Sequence, residues 1–205
     1  MIKVYWLDCL CLLNESKLKR VLPYLSEERQ EKTIRLQTAE RRAQSAAAGM
    51  LLRHLFGDTE YSYGANGKPY LSGRDDLFFS LSHSSHYVVC AVTDCEIGVD
   101  IEPISPLRPA VLRRCFTAVE QQWIGEDTAR FARLWTMKEA YMKLTGTGLS
   151  VPAKDIALSV PPRNGYDQHN HCAWTFLKIE GTPMTICSQS EQPAEIAIIN
   201  VNDLL

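Results

Sequence analysis

Apolar side chains dominate the opening Met1-Ile2-Lys3-Val4-Tyr5-Trp6-Leu7, and Asp8 interrupts them before Cys9-Leu10-Cys11-Leu12-Leu13. A short run broken by a carboxylate, with Lys3 as its only basic residue and no small-x-small site after it, reads as a strand rather than as a secretory leader. At Ser26-Glu27-Glu28 the pattern changes to a long helical stretch. Ser26 can cap it, and the two acids complement the helix dipole. Arg29, Lys32, Arg35, Arg41 and Arg42 make this stretch basic, and Ala46-Ala47-Ala48-Gly49 followed by residues 50–56 predicts a closely packed helix ending at Gly57. A turn over residues 64–69 precedes three strand-like segments, 78–82, 87–93 and 97–102, which predict an antiparallel meander.

Pro103, Pro106 and Pro109 then punctuate the chain and divide it into residues 1–102 and 103–205. Residues 107–124 and 127–145 follow a helical pattern that stops at Gly146-Thr147-Gly148, and residues 174–179 and 195–201 read as strands. Each half therefore runs strand, helices, strands. The shared order suggests a duplicated unit, with no residue-level repeat to accompany it.

Composition narrows the class. Of 205 residues, 45% are hydrophobic and 22% charged, which excludes disorder, collagen-like repeats and coiled coil and leaves a globular chain able to bury a core. A formal charge of −2 gives no excess of positive charge for generic binding to nucleic acid, so any anion must be met locally. Seven cysteines, an odd number without framework spacing, fit a reducing compartment. No apolar run approaches the roughly 18 residues of a membrane span, so a soluble, cytoplasmic protein is expected.

Three segments carry candidate chemistry. In Gly98-Val99-Asp100-Ile101-Glu102 the strand period sets Asp100 and Glu102 on one face. Converging carboxylates repel unless a cation or several donors sit between them, and hard oxygen ligands suit Mg²⁺; a solvated strand end would show the same spacing. In Trp135-Thr136-Met137-Lys138-Glu139-Ala140-Tyr141-Met142-Lys143 the helical period aligns Trp135, Glu139 and Lys143. Glu139 and Lys143 could form a plain surface pair, but the indole one turn earlier suggests a partly buried face, where unpaired ions are costly. Phe79-Ser80-Leu81-Ser82-His83-Ser84-Ser85-His86 ends a strand with hydroxyls and imidazoles that could surround an anion or simply stabilise a turn. Gly64-Ala65-Asn66-Gly67-Lys68-Pro69 is by itself only a turn. Cys9-x-Cys11 and His169-x-His171-Cys172 lack structural-zinc spacing, and no GxGxxG, Walker or GxSxG motif is present.

Gly67-Lys68-Pro69, residues 79–84, residues 98–102 and residues 135–143 occur together in the order and approximate spacing of one family. The chain resembles the 4′-phosphopantetheinyl transferases, and more closely their surfactin-synthetase-activating, two-half, monomeric type. That resemblance implies an α+β fold of two similar α/β halves related by pseudo-twofold symmetry, each a small, largely antiparallel sheet packed with helices. Residues 1–102 would bind the nucleotide of coenzyme A, and residues 103–205 would supply the catalytic helix and the contact with an acyl or peptidyl carrier protein. It further implies that Asp100, Glu102 and Glu139 hold Mg²⁺ and that Lys143 reaches the pyrophosphate of coenzyme A. Ser82 and His83 would bind its phosphates, Gly67, Lys68 and Pro69 would lie along the adenine nucleotide, and Arg29 and Lys32 would meet the 3′-phosphate. Ser80 and Arg29 depart from the frequent Asn and Lys of the family, though both can still donate hydrogen bonds. The implied reaction moves 4′-phosphopantetheine to a carrier serine, with Glu139 as base, in a monomer acting in the cytoplasm. A different Mg²⁺-dependent nucleotide phosphoryl-transfer enzyme, or a catalytically silent carrier-binding relative, would carry much of the same equipment.

Overall fold

In a computed structural model of the chain, which describes residues 1–199 and 201–204 and leaves aside the side chains of Leu149, Asn202 and Asp203, the opening run is strand β1 (Ile2–Asp8). Helix α1 (Glu15–Val21) follows, a short element the sequence pattern did not predict; Asn14 caps it by accepting from the backbone N–H groups of Ser16 at 3.1 Å and Lys17 at 3.2 Å. The basic stretch is two helices rather than one, α2 (Glu27–Arg35) and α3 (Ala39–Phe56). Leu36 is extended, and Thr38 starts a new cap by accepting from the Arg41 N–H at 3.2 Å. Ser26 caps α2 and Gly57 closes α3, both as expected.

The hairpin of β2 (Tyr61–Tyr63) and β3 (Pro69–Leu71) leads to an antiparallel pair, β4 (Phe78–Ser84) and β5 (Tyr87–Thr93). The predicted meander stops there. Strand β6 (Ile97–Ile101) leaves this sheet, because every one of its residues is buried and its backbone needs partners on both sides. A strand of the second sheet pairs with one side. On the other, hydroxyls of β4 replace a ladder: the Val99 N–H donates to Ser80 Oγ at 3.0 Å and the Ile101 N–H to Ser82 Oγ at 3.4 Å.

Beyond the prolines, α4 (Pro109–Cys115) and α5 (Ala118–Ile124) are separated at Phe116-Thr117, where Thr117 and Glu120 form a reciprocal capping box. Helix α6 (Thr128–Thr145) starts on an Asp127 cap and stops at Gly146, whose φ of 65° suits glycine. Strands β7 (Gly165–Asp167), β8 (Cys172–Ile179), β9 (Thr182–Ser188) and β10 (Ala194–Ile199) complete the chain. The segment expected at 195–201 ends as a strand at Ile199; Val201 lies in a 3₁₀ turn, and residue 200 is outside the described residues.

The fold is α+β, as the family resemblance implied. One sheet has the order β10-β1-β5-β4, with β10 parallel to β1, and the other β6-β9-β8-β7, antiparallel throughout. Each sheet thus takes one strand from the far side of the prolines. Ile2, Val4, Trp6, Val89 and Ala91 of the first sheet share a core with Val99, Ile101, Met184 and Ile186 of the second, while α1 and α3 cover the first and α6 the second. All seven cysteines are free thiols. Among the described residues no helix is long and apolar enough to cross a membrane.

Candidate active site

Strand β6 and helix α6 approach so closely that a Cβ on Gly98 would stand 1.9 Å from the Ala140 carbonyl oxygen and 2.5 Å from the Leu144 nitrogen. Only glycine fits, and the approach brings Asp100, two residues along the same strand face, against the helix. There Lys143 Nζ donates to Asp100 Oδ1 at 2.8 Å and to the Val99 carbonyl at 2.9 Å. The Ser82 hydroxyl donates to the same Oδ1 at 2.8 Å. Asp100 Oδ2 is buried with no hydrogen-bond partner, a costly state for a carboxylate oxygen.

Glu102 and Glu139 complete the acidic group. Burial pushes the Glu139 carboxyl above its usual range, the charges of Asp100 and Glu102 push further, and the Lys143 ammonium opposes them. Burial and the Asp100 charge likewise raise Glu102, against the Ser84 hydroxyl, Lys143 and Arg108. Among the described residues no three His, Cys, Asp or Glu side chains are placed so that together they could hold a metal ion. The donor chemistry nevertheless fits a hard divalent cation: an orphaned carboxylate oxygen and two carboxylates whose ionisation is disfavoured by burial and by the neighbouring Asp100 charge.

Other expected site residues divide into two groups. The first has work elsewhere. Ser82, expected at a coenzyme A phosphate, is buried between Asp100 and the Ile101 N–H, where its hydroxyl joins β4 to β6. The Lys68 ammonium, expected along the nucleotide, is held by Glu96, the Ile97 carbonyl and the Leu144 carbonyl, with only 8% of its side chain exposed.

The second group faces open space. Gly67 and Pro69, with Lys68 between them, line a cavity of about 210 Å³ together with Ser80, Met142 and Lys143. Arg29 and Lys32 line a separate cavity of about 450 Å³ with Arg53 and Tyr61 on its walls. Neither cavity is lined by Asp100, Glu102 or Glu139, but the smaller one has Lys143, the ion-pair partner of Asp100, on its wall. His83 reaches solvent, yet the protein around it and the Lys143 ammonium lower its pKa, and Lys32 acts in the same direction. His83 therefore lies within electrostatic reach of both Lys143 and Lys32.

Sequence reasoning missed Glu96, Asn66 and the Lys138–Glu120 pair. Asn66 Nδ2 donates to the Gly146 carbonyl at 3.0 Å, and Lys138 Nζ meets Glu120 Oε1 at 3.0 Å. For the last pair a signal existed: Lys138 lies off the Glu139–Lys143 face by helical period, hence toward the core.

The family model described as the 4′-phosphopantetheinyl transferase superfamily matches residues 96–196, from just before β6 into β10. The 4′-phosphopantetheinyl transferase Sfp of Bacillus subtilis is 26% identical over 94% of this chain and 95% of its own. The 4′-phosphopantetheinyl transferase AcpT of Salmonella typhimurium is 38% identical over 73% of this chain and 82% of its own. The 4′-phosphopantetheinyl transferase HetI of Nostoc is 28% identical over 80% and 77% respectively.

Proposed function

The chain belongs to the 4′-phosphopantetheinyl transferase superfamily, and on that premise we propose how its own residues move 4′-phosphopantetheine from coenzyme A to a serine hydroxyl of an acyl or peptidyl carrier protein. The carrier serine oxygen forms a bond to the pantetheine-side phosphorus of the pyrophosphate. The bond from that phosphorus to the bridging oxygen breaks, and adenosine 3′,5′-bisphosphate leaves. A neutral serine is a poor nucleophile, so its proton must be taken; Glu139, a carboxylate with its pKa raised by burial and neighbouring carboxylates, is suited to that task. Two of the three Lys143 protons are engaged by Asp100 and Val99, and the third remains to donate to the pyrophosphate. Asp100, Glu102 and Glu139 would hold Mg²⁺, which when bound supplies neutralising charge for the phosphoryl oxygens. His83 offers a hydrogen bond to a phosphate, Gly67 and Pro69 border the nucleotide, and Arg29 and Lys32 face the 3′-phosphate from their own cavity.

The order β1-β5-β4 in one sheet and β6-β9-β8 in the other, with α3 and α6 both 18 residues long, supports two similar halves related by pseudo-twofold symmetry. On this reading the halves divide at the turn before β6 rather than at Pro103, and the site lies between them. One chain then contributes every site residue, in keeping with a monomer, and seven free thiols suit a cytoplasmic enzyme.

The observation that carries this reading is the partnerless Asp100 oxygen beside Lys143 and two reluctant carboxylates. Incubation of an apo carrier protein with coenzyme A, Mg²⁺ and the enzyme tests it by mass spectrometry. The carrier should gain one phosphopantetheine, and a chelator should prevent the gain. Coenzyme A cleavage without carrier modification would indicate another phosphoryl-transfer enzyme, and coenzyme A binding without turnover a silent relative.

A further inference from the structure

Lys68 sits in the turn between β2 and β3, far in sequence from the acidic cluster, and every proton of its ammonium is accounted for. It pairs with Glu96, donates to the Leu144 carbonyl at 2.8 Å and reaches the Ile97 carbonyl at 3.3 Å. An ammonium has three donors, so none is left for a ligand. Its stem packs on the end of α6: a Cβ added to Gly146 would lie 3.4 Å from Lys68 Cδ. The neighbouring Asn66 donates to the Gly146 carbonyl at 3.0 Å.

These partners belong to the two elements that carry the chemistry. Ile97 begins β6, which bears Asp100 and leads to Glu102; Leu144 follows Lys143 at the end of α6, which also bears Glu139. The last turn of a helix leaves carbonyls without intrahelical partners and carries partial negative charge, so an ammonium there is favoured twice over. A cation bonded at once to Ile97 and Leu144 fixes the height of α6 along β6. Gly98 permits the close approach of the two elements but supplies no polar bond to hold them in register.

We propose that Lys68 is a positioning residue: its ammonium locks the C-terminal end of α6 to the start of β6 and so sets Lys143 and Glu139 against Asp100. This rests on the transferase reading for its kinetic consequence, though not for its structural one. A displacement of about 1 Å at a reacting group can lower a rate by roughly a hundredfold.

Lys68→Met keeps the apolar stem and removes the donors. Its kcat should fall by about tenfold or more while the KM for coenzyme A stays within about twofold of wild type, the signature of a lost arrangement rather than lost ground-state binding. Lys68→Arg, which retains donors, should restore most of the kcat. Hydrogen exchange read by mass spectrometry should quicken at the end of α6, residues 142–148, in Lys68→Met. If wild type transfers nothing, the functional reading fails and the exchange experiment still decides the role of Lys68. Should Lys68→Met not fold, Glu96→Gln, which leaves the two carbonyl bonds in place, must show the same kcat and exchange changes at smaller size. A raised KM with kcat retained, or unchanged exchange at the helix end, would overturn the proposal.

Discussion

Helix α6 sends two lysines to two carboxylates, and the pairs are built on opposite principles. Lys138 and Glu120 are wholly enclosed, with side chains 0% and 1% exposed. Lys138 Nζ also donates to the carbonyls of Ala153 at 2.9 Å and Ile156 at 2.6 Å, while Glu120 accepts from the backbone N–H groups of Thr117 at 2.7 Å and Leu158 at 2.9 Å. Nothing is left over. Lys143 and Asp100 are open on one side, with Lys143 30% exposed, an Asp100 oxygen without a partner, and Glu102 and Glu139 adding repulsion. A saturated pair fastens α5 and the loop after α6 to the helix. An unsaturated one leaves a carboxylate oxygen and an ammonium proton unengaged, and on the proposed reading that difference separates a structural salt bridge from a site.

The comparison breaks first at the enclosed pair. Lys138→Met leaves a buried carboxylate without its cation and should lower unfolding stability by about 3–5 kcal/mol, whereas the double change Lys138→Met with Glu120→Leu should recover much of that loss. Urea denaturation of the three proteins measures both. Gly98→Ala comes next, since the new methyl would meet backbone atoms of α6; a loss of about 1–3 kcal/mol is expected, together with a transfer rate that falls further than stability explains. Circular dichroism melts beside carrier modification rates would reveal the split.

The smallest effect sharpens the contrast through pH. Glu102 and Glu139 have folded pKa values above the ordinary 4.5, so between that value and their folded pKa values the unfolded chain has released protons that the folded one retains. Stability from these groups is therefore highest at low pH and declines as pH rises through their folded pKa values. In cation-free buffer, Glu139→Gln should gain on wild type as pH rises from 4.5 through the folded pKa of Glu139, and added Mg²⁺ should stabilise wild type more than the variant. Parallel stability curves for the two proteins would contradict the raised pKa.

Much of the site was legible because it lies on regular elements whose periods are visible in the sequence. A strand period aligned Asp100 with Glu102, and a helical period aligned Glu139 with Lys143; the fold then brought the two faces together. The hydrogen bonds of Ser82 and Lys68 were hidden for one physical reason. Their partners, the Ile101 N–H, the Asp100 carboxylate and the Leu144 carbonyl, come from other elements, so which hydrogen bonds they satisfy depends on tertiary packing. The exit of β6 from the first sheet was hidden likewise, since β5 to β6 looks like any hairpin until the burial of all five β6 residues demands partners on both sides. The break at Leu36 was closer to the surface of the sequence, because Thr38 is an ordinary helix cap.

The most direct test of the contrast is the single-turnover rate of Glu139→Gln at saturating coenzyme A, Mg²⁺ and carrier protein. The substitution keeps shape and removes the carboxylate, so the rate should fall by about 10²–10⁴-fold, as expected for loss of a general base, with the protein as stable as wild type or more so. A wild-type rate, or a loss of stability comparable to that of Lys138→Met, would contradict the assignment of the open pair and its neighbouring carboxylates as the reacting centre.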